Sequence, residues 1–564
     1  MKMRMTPALV LLCAIPLAGC DTDDDAGTTE APVTAEAMQP ALDHFSAERL
    51  LQRIEVLSHD SMEGRAPGTA GEERTVRYLE NEFRAMGLSP GNPDGTYVQQ
   101  VPLVEITPRV SASLTVNGQA TELQGVSDYI ASSRRVAPEV MVEDSDLVFV
   151  GYGIVAPEYD WDDYKDVDVS GKTIVMLVND PGYATQDEAL FRGNAMTYYG
   201  RWTYKYEIAA EKGAAAAIVI HETGPAGYPF EVLSSGHERP NFDIQSPDNN
   251  MSAVAVQAWM PEPAIRRFLS EMGHDFDELK QAALQRDFRP VELGGQASFE
   301  LQQQFREIQS RNVIAKLEGG ARADEYVVYT AHWDHLGIAA PVDGDSIYNG
   351  ALDNASGTAT IVEIAEAFTR LDHRPERSIL FLAVTAEERG LLGAKYYAEN
   401  PLYPLARTVA NINVDGINQW GRTEDIVVVG RGNSTLDDVL AEAAATQGRR
   451  LEADPEPEKG FYYRSDHFEF AKQGVPALYI DAGTHFMDRD AGYGQQKRDE
   501  YTTNDYHKPS DIVKPDWDLS GAIEDARILF QVGYRVAQRA AFPEWAPQAE
   551  FRATREAMLR ENRP

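Results

Sequence analysis

Between Thr330 and Glu388 three short segments hold the side chains best suited to chemistry: His332 and Asp334 in TAHWDHLG, Asp353 in NGALDNASG, and Glu387 with Glu388 in LAVTAEERG. Imidazole and carboxylate are the donors zinc takes when thiolates are absent. They are absent here, because the only two cysteines, Cys13 and Cys20, fall in the first twenty residues. A disulfide framework is excluded for the same reason. Two neighbouring zinc ions need a bridging carboxylate and terminal ligands for each, and His332, Asp353, Glu388, Asp415 and a late histidine supply that set. Asp334, two residues past His332, is placed to accept the imidazole's second N–H and fix its tautomer. Glu387 beside Glu388 separates two duties: one carboxylate ligates while the other takes a proton from metal-bound water.

Most of these groups follow an apolar run. EYVVYTA precedes His332, ILFLAVTA precedes Glu387 and Glu388, and ANINV precedes Asp415; strand ends are where ligands gather in an α/β sheet. From Asn312 onward NVIAKLEG, EYVVYTAH, RSILFLAV, TVANINVD, DIVVVG and PALYI read as strands. Residues 355–371, 391–398, 434–447 and 520–540 read as helices. The alternation predicts an α/β fold, a mixed and mostly parallel sheet sandwiched by helices. Upstream, helical spacing covers residues 47–59 and 71–86, and from 131 to 294 β-rich runs such as DLVFVGYGIV mark an insert.

At 564 residues the chain is too long for one ordinary core. Its 43% hydrophobic and 25% charged content is that of a soluble globular protein, and a net charge of −37 excludes a nucleic-acid partner by long-range repulsion. Lys2 and Arg4 precede a short apolar run, Ala8 to Ala18, which reads as a secretory signal; a spanning helix needs about 20 apolar residues. The ending Leu17-Ala18-Gly19-Cys20 resembles the bacterial lipoprotein box. That resemblance implies lipid attachment at Cys20 and a protein anchored to a membrane in the bacterial cell envelope. The acidic, aperiodic stretch after it reads as a disordered tether.

AHWDHLG, LDNASGTA, AEERGLLGA, NVDG and YHKPSD, in this order, resemble the co-catalytic two-zinc peptidase family of secreted bacterial aminopeptidases, related to glutamate carboxypeptidase and the transferrin receptor. EGRAPGTAGE and SRNVIAKLEG match that family as well. The resemblance implies that His332 and Asp415 serve one zinc, Glu388 and His507 the other, and that Asp353 bridges them ahead of a cis peptide to Asn354. Glu387 becomes the general base acting through a metal-bridging hydroxide, and Tyr506 the donor to the tetrahedral oxyanion. Arg464, Asp466 and His467 belong to a segment that lines the substrate pocket in relatives. His335 is expected as a wall residue, His485 as structural or pocket-lining, and Asp511 as orienting His507 or capping a turn. The insert resembles the protease-associated domain.

The implied order is a lipoprotein signal (1–19), a tether (20–44), an N-terminal part of the peptidase domain (45–130), the insert (131–294), the catalytic part (295–542) and a tail (543–564). The implied activity is an aminopeptidase working on peptide substrates. One alternative is a carboxypeptidase or dipeptidase of the same family, for which Arg464 is the one pocket arginine available to a terminal carboxylate. Another is a non-catalytic binding protein on the peptidase scaffold, which the complete ligand set disfavours.

Overall fold

The run RSILFLAV forms the strand Arg377–Val384, and all eight of its residues are buried, as a strand covered on both faces requires. In the computed structural model, which describes residues 34–165 and 167–562, this strand lies parallel to Arg322–His332 and antiparallel to Val291–Leu317. Thr408–Asn413 adds parallel to the far side of Arg322–His332, and Ala477–Asp481 parallel to that. Because His332 is in register with Val384, and Thr330 with Asn413, the three parallel strands finish at one edge of the sheet. The predicted chemical residues therefore emerge side by side.

Helices cover this half. Gly357–Phe368 is buried at every residue except Glu366, so it sits within the core. Helix Ala47–Leu57 starts at Ser46, whose side chain accepts the Arg49 N–H, and buries Leu50, Ile54 and Leu57 at the spacing of one helical face. Arg49 and Arg53 on that helix pair with Glu363 and Glu366, which pins it to Gly357–Phe368.

The sheet does not stop at the catalytic half. Val291–Leu317 continues past it, pairs along Val98–Val116, and then pairs with Glu139–Phe149. From there Glu139–Phe149, Thr173–Leu177, Ala216–His221 and Val256–Pro261 run parallel to one another.

Four expectations need correction. The insert is α/β and not simply β-rich, because helices such as Trp202–Glu211 and Glu262–Glu271 alternate with its parallel strands. Its boundary at 294/295 falls inside the strand Val291–Leu317, which serves both halves. The tether ends earlier than 44: Ala35–Leu42 is a helix capped by Thr34 with Met38 and Ala41 buried. The tail also docks, since Trp545, Phe551 and Arg555 are buried and Arg555 donates to the carbonyls of Leu405 and Thr408. The signal and Cys20 lie outside the described residues. Among the described residues no helix is long and apolar enough to cross a membrane.

Candidate active site

At the shared edge of the three strands, two sets of donors converge on one carboxylate. His332, Asp353 and Asp415 offer atoms within 4.8 Å of one another, and so do His335, Asp353 and Glu388. The oxygens of Asp353 face opposite ways: Oδ1 lies 3.3 Å from His332 Nε2, while Oδ2 lies 3.2 Å from His507 Nε2. His332 Nε2 is also 3.2 Å from Asp415 Oδ1, and His507 Nε2 is 3.0 Å from Glu388 Oε2. The five ligands expected from the sequence are therefore brought together, and the expected cis peptide at Asp353-Asn354 is present.

Nε2 of His335 and Oδ2 of Asp334 are buried with no hydrogen-bond partner, and Nδ1 of His335 and Oε1 of Glu388 have only each other, at 2.6 Å. Buried polar groups are ordinarily satisfied, so convergent unsatisfied donors of this chemistry fit a bound cation. The electrostatics agree. Burial favours the neutral His507 imidazole, yet Glu388 and Asp353 hold its pKa up at about 10. Burial pushes the Glu387 carboxyl well above its usual range; His332 opposes this, and Asp415 and Glu388 reinforce it. An excess of confined negative charge is what a metal ion neutralises.

Residues 312–530 match the sequence profile of peptidase family M28. This stretch is similar to that family. Among curated relatives, mouse aminopeptidase NAALADL1 is 40% identical over 111 residues, covering 19% of this chain and 13% of that protein. A probable glutamate carboxypeptidase of Arabidopsis thaliana, AMP1, is 24% identical over 380 residues, covering 62% of this chain and 48% of its own length. The chain thus spans about half of AMP1 and a smaller share of NAALADL1. Among solved structures, the aminopeptidase of Aneurinibacillus sp. strain AM-1 superposes with a TM-score of 0.47 at 18% identity, covering 88% of this chain and 95% of that one.

Side chains around the donors hold the loops that carry them. Arg65 is fully buried and donates to four main-chain carbonyls: Trp333 and Gly350 at 2.8 Å, Leu57 at 2.8 Å and Asn349 at 2.6 Å. It ties the loop after His332 to the loop before Asp353. Asn354 donates to the Val414 carbonyl and accepts the N–H groups of Gly357 and Gly416, which fixes the Asp353 loop against that of Asp415. Ser465 donates to Asp415 Oδ2 at 2.7 Å and accepts from Asn413 Nδ2 at 2.8 Å. Asp511 accepts the N–H groups of Leu352 and Asp353, so it caps that loop instead of orienting His507.

The site departs from the sequence reading at several side chains. Asp334 does not fix the His332 tautomer through its carboxylate, which lies 3.8 Å from Nδ1, beyond hydrogen-bond range. Its main-chain carbonyl meets Nδ1 at 3.2 Å instead, and its carboxylate accepts the Glu387 N–H at 3.0 Å. The strand has ended at His332, so the chain turns and presents the carbonyl. His335 is no mere wall residue: its Nδ1 is 2.6 Å from Glu388 Oε1, inside the second donor set.

Arg464 lines a cavity of about 540 Å³, which Glu387 also lines. Asp466 and His467 are fully buried and are not among its lining residues. They open the helix His467–Lys472, whose packing turns them inward, and His467 lies between the rings of Tyr462 and Tyr479. Tyr506 is 44% exposed with its ring stacked on His507. His485 is structural, with Nδ1 3.0 Å from Asp425 Oδ2. Sequence reasoning assigned no role to Arg65, although EGRAPG was noticed. The available signal was a charged residue inside a Gly/Pro turn.

Proposed function

We propose that the chain is a zinc-dependent exopeptidase, and within that class an aminopeptidase that removes N-terminal residues from peptides. The observation that carries this reading is the pair of donor sets sharing Asp353, with Glu387 beside them on the wall of a cavity. Two zinc ions held there would supply Lewis acid for the scissile carbonyl and lower the pKa of water. His332, Asp353 and Asp415 suit one ion; Asp353, Glu388 and His507 suit the other, with His335 within reach of Glu388.

Glu387 has the position of a general base. Its side chain is 12% exposed, and its carboxylate stands 3.9 Å from His332 Nε2, outside both donor sets but next to them. It takes the proton of the attacking water and returns it to the leaving amine. Tyr506, stacked on His507 at the cleft, donates its hydroxyl to the developing oxyanion. The name of NAALADL1, an aminopeptidase, supports the choice of substrate end. A carboxypeptidase or dipeptidase is the second reading, favoured by Arg464 on the wall of the cavity that reaches Glu387.

A panel of aminoacyl and N-blocked chromogenic amides, assayed with and without chelator, tests the proposal. Hydrolysis of the free-amine substrates, lost on chelation and restored by zinc, is expected. Turnover of blocked substrates would overturn the aminopeptidase reading, and turnover indifferent to chelator would overturn the metal.

A further inference from the structure

The C-terminal tail touches both sides of the cavity that reaches Glu387. Arg201 and Trp202 of the insert line that cavity, and so do Tyr463 and Phe468 of the catalytic half. Glu550 of the tail holds a residue from each side. Its Oε1 accepts the Tyr198 N–H at 3.1 Å, and the Tyr463 hydroxyl reaches Oε2 at 2.9 Å and Oε1 at 3.1 Å. Tyr198 opens the turn Tyr198–Gly200, which leads directly into Arg201 and Trp202. Glu550 does not line the cavity itself.

The tail is fixed on either side of Glu550. Trp545 donates its indole N–H to the Gly474 carbonyl at 2.8 Å, and buried Arg555 donates to the carbonyls of Leu405 and Thr408, both at 2.9 Å. The Ala546 N–H meets the Asn433 carbonyl at 2.8 Å, while the side chain of Asn433 accepts from Arg192 of the insert at 2.9 Å. Phe551, next to Glu550, packs its ring 6.2 Å from that of Tyr198 and 6.1 Å from that of Phe468.

Hydrogen bonds to a carboxylate are roughly twice as strong as neutral ones, and this carboxylate takes one from each half of the molecule. The ion pair of Glu207 with Lys472 also spans the joint, but its carboxylate side chain is 45% exposed, where such pairs contribute little. We infer that Glu550 is a positioning residue: by joining Tyr198 to Tyr463 it sets the spacing of the two cavity walls, and with it the binding of the part of a peptide that lies away from Glu387. The tail thereby belongs to the substrate cleft. This rests on the peptidase reading of that cleft.

The test compares, in the full chain, an aminoacyl chromogenic amide with a tetrapeptide long enough to extend along the cavity. Glu550→Ala should raise KM for the tetrapeptide about 10-fold, while kcat, and KM for the amide, stay at their wild-type values. Glu550→Gln still offers an oxygen to the Tyr198 N–H and an N–H to the Tyr463 oxygen, so it should restore the tetrapeptide KM. Tyr463→Phe removes one of the two bonds and should have the smaller effect; combined with Glu550→Ala it should add nothing, because the two share that bond. Amide hydrogen exchange at Tyr198 should be faster in Glu550→Ala and normal in Glu550→Gln. A wild-type tetrapeptide KM in Glu550→Ala, an equal loss on both substrates, or additive effects in the double variant would overturn the inference. Should Glu550→Ala fail to fold, a wild-type tetrapeptide KM in Tyr463→Phe would overturn it. If the wild type turns over neither substrate, the peptidase reading fails, and hydrogen exchange with calorimetric binding of the tetrapeptide still decides whether Glu550 sets the walls.

Discussion

Both halves of the sheet end parallel strands in buried polar residues, and only one of them leaves those residues without protein partners. In the insert, Asp180 follows Thr173–Leu177 and accepts from the N–H groups of Gly182, Tyr183 and Thr197 and from the Thr197 hydroxyl. Lys205 donates to the carbonyls of Tyr152 and Asn179, and His221 Nε2 meets the Tyr228 carbonyl. In the catalytic half, His335 Nε2 and Asp334 Oδ2 are buried with no partner, and His335 Nδ1 and Glu388 Oε1 have only each other. A polar strand end is therefore not by itself a site. What marks the site is convergence of donors that the protein leaves unsatisfied, as expected where an external cation completes them.

The strongest challenge to this contrast comes from Glu387→Gln. Turnover should fall about 10²- to 10⁴-fold while metal content, measured by elemental analysis, stays at the wild-type level. Wild-type turnover in that variant would remove Glu387 from the mechanism.

Two further substitutions probe scaffold against site. Arg65→Met strands four carbonyls around the metal loops, and should cost about 3 kcal/mol of stability or more together with metal binding. Asp163→Ala in the insert leaves the Ile154 N–H and the Trp161 indole N–H unpaired. It should cost about 2 kcal/mol and leave turnover of the folded protein unchanged. Denaturant titration with metal analysis separates the two, and lost turnover in the Asp163 variant would break the contrast.

Ser465→Ala frees one oxygen of Asp415 and is expected to weaken metal affinity about 10- to 100-fold, read by competition with a chromogenic chelator.

The smallest effect expected is a difference in pH response. Burial opposes ionisation of Glu366, but Arg53 and Arg370 override it and hold its carboxyl at about 2 against an ordinary 4.5. Its stabilising contribution is present above pH 4.5 and lost as the pH falls toward 2. Burial raises Asp163 from 3.8 to about 7, so its contribution is full below pH 3.8 and lost as the pH rises through 7. Glu366→Gln should flatten the acid window and Asp163→Asn the neutral one, in unfolding midpoints measured across pH; a variant that leaves its own window unchanged would refute the assignment.

Three of the donors were legible in the sequence because each sits after an apolar run, whereas Asp353 and His507 came from the ordered motifs of the resemblance. Local periodicity marks where a buried strand stops, and His332, Glu388 and Asp415 follow from that. The alternation of runs likewise carried the fold class of the catalytic half. Contacts fixed by the order of strands were not legible. Arg65 reaches Trp333 across 268 residues, and no local pattern encodes that approach. Whether Asp334 offers His332 its carboxylate or its carbonyl depends on the backbone direction past the strand end. That Arg201 and Arg464 line one cavity depends on a sheet that runs unbroken from the catalytic half into the insert. The sequence by itself determined which atoms could hold a metal; the tertiary structure decided which of them face one another unsatisfied, because burial and partnering are properties of the packed chain and not of any segment.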